Sequence, residues 1–176
     1  MASDAPRDAA GAHLVPIGRV AASAVEHLLD LAFGIDRHGR TAYRLREGVA
    51  AEAAASCAAL DEQGALVGSL QSWPLALTGP EGKVTALWLV GPIAVHPDRR
   101  NEGIGRAMLR RALEAIDETG IPAVLIGDAP YYAPFGFAAD QTQRWQVPGP
   151  VDRARLLART DAGVMLPADG TLGPRT

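Results

Sequence analysis

The 176-residue sequence holds one cysteine, Cys57, so no intramolecular disulfide can form, and the chain suits a reducing compartment. Cys57 lies among alanines in an expected strand, where it reads as a small buried hydrophobe. No apolar run approaches the ~18 residues of a membrane span. The first residues carry Asp4, Arg7 and Asp8 and no apolar leader stretch. The expected location is therefore the cytoplasm, with no membrane partner. Basic charge is not in excess: 17 Lys and Arg stand against 20 Asp and Glu, a net charge of −3, which argues against a nucleic-acid partner. There is no GxxxxGK[ST] run, hence no lysine for a γ-phosphate and no hydroxyl for magnesium, and no GxGxxG after a strand. Repeats and a second core are also missing. With 48% hydrophobic residues the chain can bury one sizeable core, and a single domain over residues 13–167 is expected, with 1–12 and 168–176 as flexible tails.

What the chain does have is concentrated in one stretch, Val90 to Arg106. An apolar strand is stopped by Pro97, passes through the charged turn Asp98-Arg99-Arg100-Asn101-Glu102, and opens a helix at Gly103-Ile104-Gly105. Glycine lets backbone N–H groups crowd around a bulky anion, and a helix start adds free N–H groups and the positive end of its dipole. At about 100° per residue, Ile104, Met108, Leu109, Ala112, Leu113 and Ile116 share one half of the helix surface, and charged residues fill the other. Gly120 and Pro122 end it. Taken alone, Arg100 to Gly105 describes either a phosphate cradle or a tight strand-to-helix turn without a ligand. Arg99, Arg100 and Arg106 beside it suit a polyanion.

Around this stretch the pattern gives a helix over Ala21–Phe33 ended by Gly34, and a short second helix over Arg40–Glu47 closed by Gly48. A short edge strand, Leu14–Ile17, contains Pro16. A hairpin joins Ser56–Leu60 to Ala65–Trp73 through Asp61-Glu62-Gln63-Gly64. The long strand Val84–Val95 contains Gly91-Pro92. Proline cannot donate to a ladder and glycine packs nothing, so the pair predicts a bulge or a splayed strand. A strand over Ala123–Ile126 follows, then short strands over Arg144–Val147, Leu156–Arg159 and Val164–Leu166.

Two motifs together point to a family. Arg100-Asn101-Glu102-Gly103-Ile104-Gly105 reads [QR]-x-x-G-x-[GA], and Tyr131-Tyr132-Ala133-Pro134-Phe135-Gly136-Phe137 follows the next strand. In that order and separation they resemble the pyrophosphate loop and the closing Tyr–Gly-Phe element of the GNAT superfamily of acyl-CoA-dependent N-acetyltransferases, over roughly residues 84–137. The resemblance implies an α/β fold: a mixed, mostly antiparallel sheet with one splayed parallel strand pair and about four flanking helices. It implies acetyl-CoA as co-substrate, no metal, and an amine acceptor, small molecule or peptide. The diphosphate would lie on Arg100, Asn101, Glu102, Gly103, Ile104, Gly105 and Arg106. The pantetheine amides would pair with the backbone of Ile93, Ala94 and Val95, as a peptide adds to a sheet edge.

In the same resemblance Tyr132 is the general acid that returns a proton to the CoA thiolate, with Tyr131 as the fallback. A non-catalytic acyl-CoA sensor is the alternative, and such a protein would not need Tyr132. The central strand contains no Glu or Asp where many relatives keep a water-linked carboxylate, so no general base is evident. His96 reads as a turn residue. Asp128 can orient pantetheine, bind a cationic acceptor or, the favoured reading, cap the short helix after it. Tyr43, Arg44 and Arg46 either touch the acceptor or form a plain surface helix. A homodimer through the C-terminal strands is compatible with the sequence, which does not identify the amine.

Overall fold

The computed structural model describes residues 7–9, 11–161 and 163–176. They gather into two units. One holds the described residues up to Arg37 with Glu52–Ser72 and Gly91–Ala115, and the other holds His38–Ala51, Trp73–Val90 and Ile116–Thr176.

In the first unit, β1 (Arg7–Ala9), β2 (Ala12–Pro16), β3 (Cys57–Leu60) and the first half of β4 (Leu66–Thr78) pair antiparallel in that order. The β3–β4 turn forms because Asp61 Oδ1 accepts from the amides of Gln63 at 2.9 Å and Ala65 at 2.8 Å. Helix α1 (Ala22–Phe33) buries Val25, Leu28 and Leu29 against Ala94 of β5 (Val84–Val95), and Gly34 ends it at φ 89°. Arg37 just beyond is buried, with Nη2 2.5 Å from a Glu26 carboxylate oxygen and Nε 2.9 Å from one of Asp30, a clasp on the helix that precedes it. Helix α3 (Ile104–Thr119) starts in this unit. The residues its periodicity predicted as the inner face are buried, and Ala107 joins them. Cys57 is 1% exposed, and its thiol, pushed up to about 12 by burial, faces the Met108 carbonyl at 3.8 Å.

In the second unit, Leu45, Leu75, Leu77, Leu87, Leu89, Val124, Trp145, Leu156, Leu166 and Leu172 form one apolar cluster. β5 pairs parallel with β6 (Ala123–Ile126), and β6 pairs antiparallel with β8 (Leu156–Arg159). The sheet is thus mixed and mostly antiparallel. The parallel ladder of β5 and β6 consists of Trp88 with Ala123 and Leu89 with Val124, while β5 itself runs on to Val95. Gly91-Pro92 follows that ladder and is joined by a cis peptide bond.

Four expectations need correction. Asp169–Pro174, placed in a flexible tail, is strand β9: it pairs antiparallel with the end of β4 and parallel with β7 (Arg144–Gln146), a second parallel pair beyond the expected one. Of the other expected tail, residues 1–6 and 10 lie outside the described set, and Arg7–Ala9 is a strand on β2, so β2 is not an edge. Val164–Leu166 makes no strand, because the Leu166 amide bonds the Gln141 side chain at 2.7 Å instead of a ladder partner. The second helix shrinks to α2 (Thr41–Arg44), whose side chains turn to another segment: Thr41 Oγ1 donates to the Pro150 carbonyl at 2.6 Å and Arg44 Nη1 to that of Pro148 at 2.7 Å.

Leu172 is the buried residue of β9, 2% exposed. Leu172→Ala is expected to cost about 2–5 kcal/mol and to lower Tm by roughly 5–15 °C in thermal unfolding. An unchanged Tm would return this segment to the status of a tail.

Candidate functional site

The first group of site residues is built at the start of α3. β5 ends at Val95, and the His96 amide donates to the Val67 carbonyl at 2.8 Å, which pins the strand end to β4. The His96 imidazole Nδ1 accepts from the Asp98 amide at 3.2 Å, so His96 caps the turn, as its context predicted. The chain then reverses through two left-handed residues, Asn101 at φ 63° and Gly103 at φ 83°, and the Gly103 carbonyl accepts the first helical bond, from Ala107 at 3.0 Å. Asparagine is one of the few side chains that tolerates this conformation, and glycine tolerates it freely. The helix start leaves its leading N–H groups without intrahelical acceptors and carries the positive dipole end.

Three arginines, Arg99, Arg100 and Arg106, stand here against two carboxylates, Asp98 and Glu102. Arg99 pairs with Glu102 at 2.6 Å, while Arg100 and Arg106 are exposed. Glu102, expected among the anion-binding positions, thus has its carboxylate engaged by Arg99. Only its backbone suits an anion. Of the three strand residues predicted to hold an extended ligand, Ala94 is buried against α1, and Ile93 and Val95 are half-buried.

Gly68 of β4 was not singled out by the sequence pattern. A Cβ there would stand 3.0 Å from Ile104 Cγ2 and 3.0 Å from Met108 Cε. The missing side chain lets the first two turns of α3 settle close on the sheet. Its only sequence signal was a glycine inside a strand pattern, which marks close approach.

The second group, in the other unit, surrounds Tyr132. Helix α4 (Ala129–Tyr132) starts with the Tyr131 and Tyr132 amides donating to the Asp128 carbonyl at 3.0 and 3.2 Å. Asp128 therefore caps with its backbone, and the expected side-chain cap does not form. Its carboxylate instead lies 3.3 Å from Arg155 Nε. The Tyr132 ring meets Tyr131 edge-on at 4.8 Å and Phe137 at 6.2 Å between centroids. Tyr131 is exposed and Tyr132 half-buried, so the two adjacent rings do point differently. Burial pushes the Tyr132 phenol up to about 12. Tyr131 and Asp128 add to the rise, and Arg155 opposes it. Among the described residues none hydrogen-bonds its hydroxyl.

Arg159 holds this turn in place. Its Nε donates to the Phe135 carbonyl at 2.8 Å, and its Nη atoms bracket the Asp117 carboxylate at 2.5 and 3.0 Å. That carboxylate raises the guanidinium pKa further. The second unit also stacks the Arg46 guanidinium on the rings of Tyr43, at 3.9 Å, and Trp73, at 4.4 Å, so Arg46 is fixed between aromatics and not loose on a helix surface. Among the described residues, no helix is long and apolar enough to cross a membrane, and no group of three or more His, Cys, Asp or Glu is placed to hold a metal.

Comparisons with known proteins bear on the family and the fold. The family model described as "Acetyltransferase (GNAT) domain" matches residues 20–139. The N-acetyltransferase YhbS of Escherichia coli is 28% identical over 132 residues, 73% of this chain and 75% of its own length. In structure, the chain is similar to E. coli YhbS in complex with CoA, with a TM-score of 0.69 at 22% identity over 99% of this chain and 94% of that one. It is also similar to a GNAT family acetyltransferase from Brucella melitensis in complex with acetyl-CoA, with a TM-score of 0.64 at 22% identity over 94% of this chain and 96% of that one.

Gly68→Val is expected to lift the start of α3, as overpacking of about 1–3 kcal/mol does. Hydrogen exchange of the amides from Ile104 to Met108 should become faster while that of β6 stays unchanged. Unaltered exchange at α3 would deny Gly68 this role.

Proposed function

The chain belongs to the GNAT acetyltransferase family, and from that premise we propose that it moves the acetyl group of acetyl-CoA to a primary amine by direct attack. The observation that carries this reading is the turn before α3: left-handed Asn101 and Gly103 lead into a helix N-terminus flanked by exposed Arg100 and Arg106. That combination offers backbone donors, a dipole and positive charge to a diphosphate. In the proposed roles, Arg100 to Arg106 hold the CoA diphosphate. The backbone of Ile93, Ala94 and Val95 pairs with the pantetheine amides, and an N–H near Ala94 or Val95 receives the charge that develops on the thioester oxygen.

The acceptor is a small or peptidic amine that must arrive deprotonated. Its nitrogen forms the new C–N bond, the C–S bond breaks, and the sulfur leaves as thiolate. Tyr132 is assigned as the acid that protonates it. A thiol of ~8.5 against a phenol at about 12 makes full transfer uphill by roughly 5 kcal/mol in the ligand-free protein. The role of the phenol is then to keep its proton at neutral pH and donate a short hydrogen bond to the leaving sulfur. Net transfer is completed when the proton shed by the attacking nitrogen restores the phenol. Half-burial and a hydroxyl with no bonding partner among the described residues support that assignment.

The test is turnover, read as thiol release from acetyl-CoA with a panel of aminoglycoside, polyamine, amino acid and peptide amines. Tyr132→Phe should lower kcat by ~10²-fold, the usual worth of a general acid, with acetyl-CoA affinity kept. Full activity would remove Tyr132 from the chemistry. A wild type that binds acetyl-CoA but turns over no amine would favour the sensor alternative. The pH profile follows from the same residue. A phenol raised above its ordinary value of 10.0 stays protonated in its working form, so kcat/KM should show no alkaline fall from Tyr132 near pH 10. A fall near that pH which Tyr132→Phe abolishes would contradict the buried state described above.

A further inference from the structure

We propose that Gly127 is a positioning residue for the Tyr132 phenol: the side chain it lacks is the seat on which the tyrosine ring rests. This inference depends on the acid role assigned to Tyr132. Gly127 follows β6, and its amide donates to the Arg155 carbonyl at 2.9 Å, which fixes its backbone to the segment before β8. A Cβ built there would overlap Tyr132 Cε2 outright, stand 3.0 Å from Tyr132 Cδ2 and 3.3 Å from Leu125 Cδ1.

The position does not require glycine for its own backbone, since Gly127 is absent from the residues with positive φ. What excludes a side chain here is the ring. Two further rings, Tyr131 edge-on at 4.8 Å and Phe137 at 6.2 Å, limit where the phenol can move, and the turn that carries them is held by Arg159 on the Phe135 carbonyl at 2.8 Å. A methyl group at residue 127 therefore cannot be absorbed by a small shift. It must swing Tyr132 off its seat, carrying the hydroxyl with it, and a misplaced acid loses its catalytic value because proton transfer demands hydrogen-bond distance.

The test is a double-mutant cycle on kcat, with acetyl-CoA affinity measured in every variant. Gly127→Ala should lower kcat by about the same ~10²-fold as Tyr132→Phe, and acetyl-CoA should bind as tightly as to the wild type. Gly127→Ala combined with Tyr132→Phe should be no slower than Tyr132→Phe alone, because the methyl group acts only through the phenol. A damaged fold would instead slow both backgrounds and weaken acetyl-CoA binding in both, which would overturn the proposal. So would a fully active Gly127→Ala beside an impaired Tyr132→Phe, an outcome that leaves the acid reading standing. A fully active Tyr132→Phe would sink that reading and this role together. An independent readout needs no acceptor: the protein has three tyrosines, and in an NMR titration of labelled rings, assigned by Tyr132→Phe, the raised Tyr132 phenol should shift toward the ordinary tyrosine value in Gly127→Ala as its ring meets water. An unshifted ring would contradict displacement.

Discussion

The close seating of the first turns of α3 on Gly68 is the constraint from which the rest of the turn before that helix follows. A helix N-terminus binds an anion only if its free N–H groups are held in one place. Here they are held from below by Ile104 and Met108 packed on a bare strand backbone, and from behind by the His96 amide on Val67. The left-handed Asn101 and Gly103 then turn the chain from the end of β5 into the helix. Charge comes last: the engagement of Glu102 by Arg99 in a partly exposed pair is worth ~1 kcal/mol or less to stability, and it neutralises one carboxylate of the turn.

A second, separate use of the same device occurs at Tyr132. Gly127 removes a side chain where an aromatic ring must lie, much as Gly68 removes one where a helix must lie. In both places a glycine in or beside a strand makes room for a group from another element. The ring environment also decides the protonation state. Desolvation outweighs the nearby Arg155, so the phenol holds its proton firmly. In the proposed role such a phenol offers a hydrogen bond to the leaving thiolate, while full transfer of its proton stays uphill until the attacking nitrogen supplies a replacement.

The legible parts of the fold were those with strong local signals. α3 was readable because its apolar and charged residues segregate at the helical period and Gly120 closes it. The hairpin was readable because Asp61 makes the turn bonds its type favours. β9 was not, because Asp169-Gly170-Thr171-Leu172-Gly173-Pro174 has poor strand propensity and exists through its pairing with β4 and β7. The shortened α2 and the absent strand at Val164–Leu166 have a common cause: side chains of Thr41, Arg44 and Gln141 bond distant backbone, and no local pattern encodes that. The same limit explains Asp128, whose position predicted a cap but whose carboxylate pairs with Arg155. The loop and Tyr132 were visible as motifs. Gly68, Gly127 and Arg159 were not, since each acts on a residue far from it in sequence or through a ring whose direction only the fold defines.

The most direct measurement is calorimetric titration of the purified protein with acetyl-CoA, with ATP as the control for a loop that merely likes phosphate. The account predicts saturable one-to-one binding of acetyl-CoA in the micromolar range, because both the diphosphate loop and the strand edge are engaged, and no comparable heat with ATP. Equal binding of the two, or binding of neither, would contradict it: the turn before α3 would then be a general anion site or a structural turn, and the acetyl-transfer reading would lose its foundation.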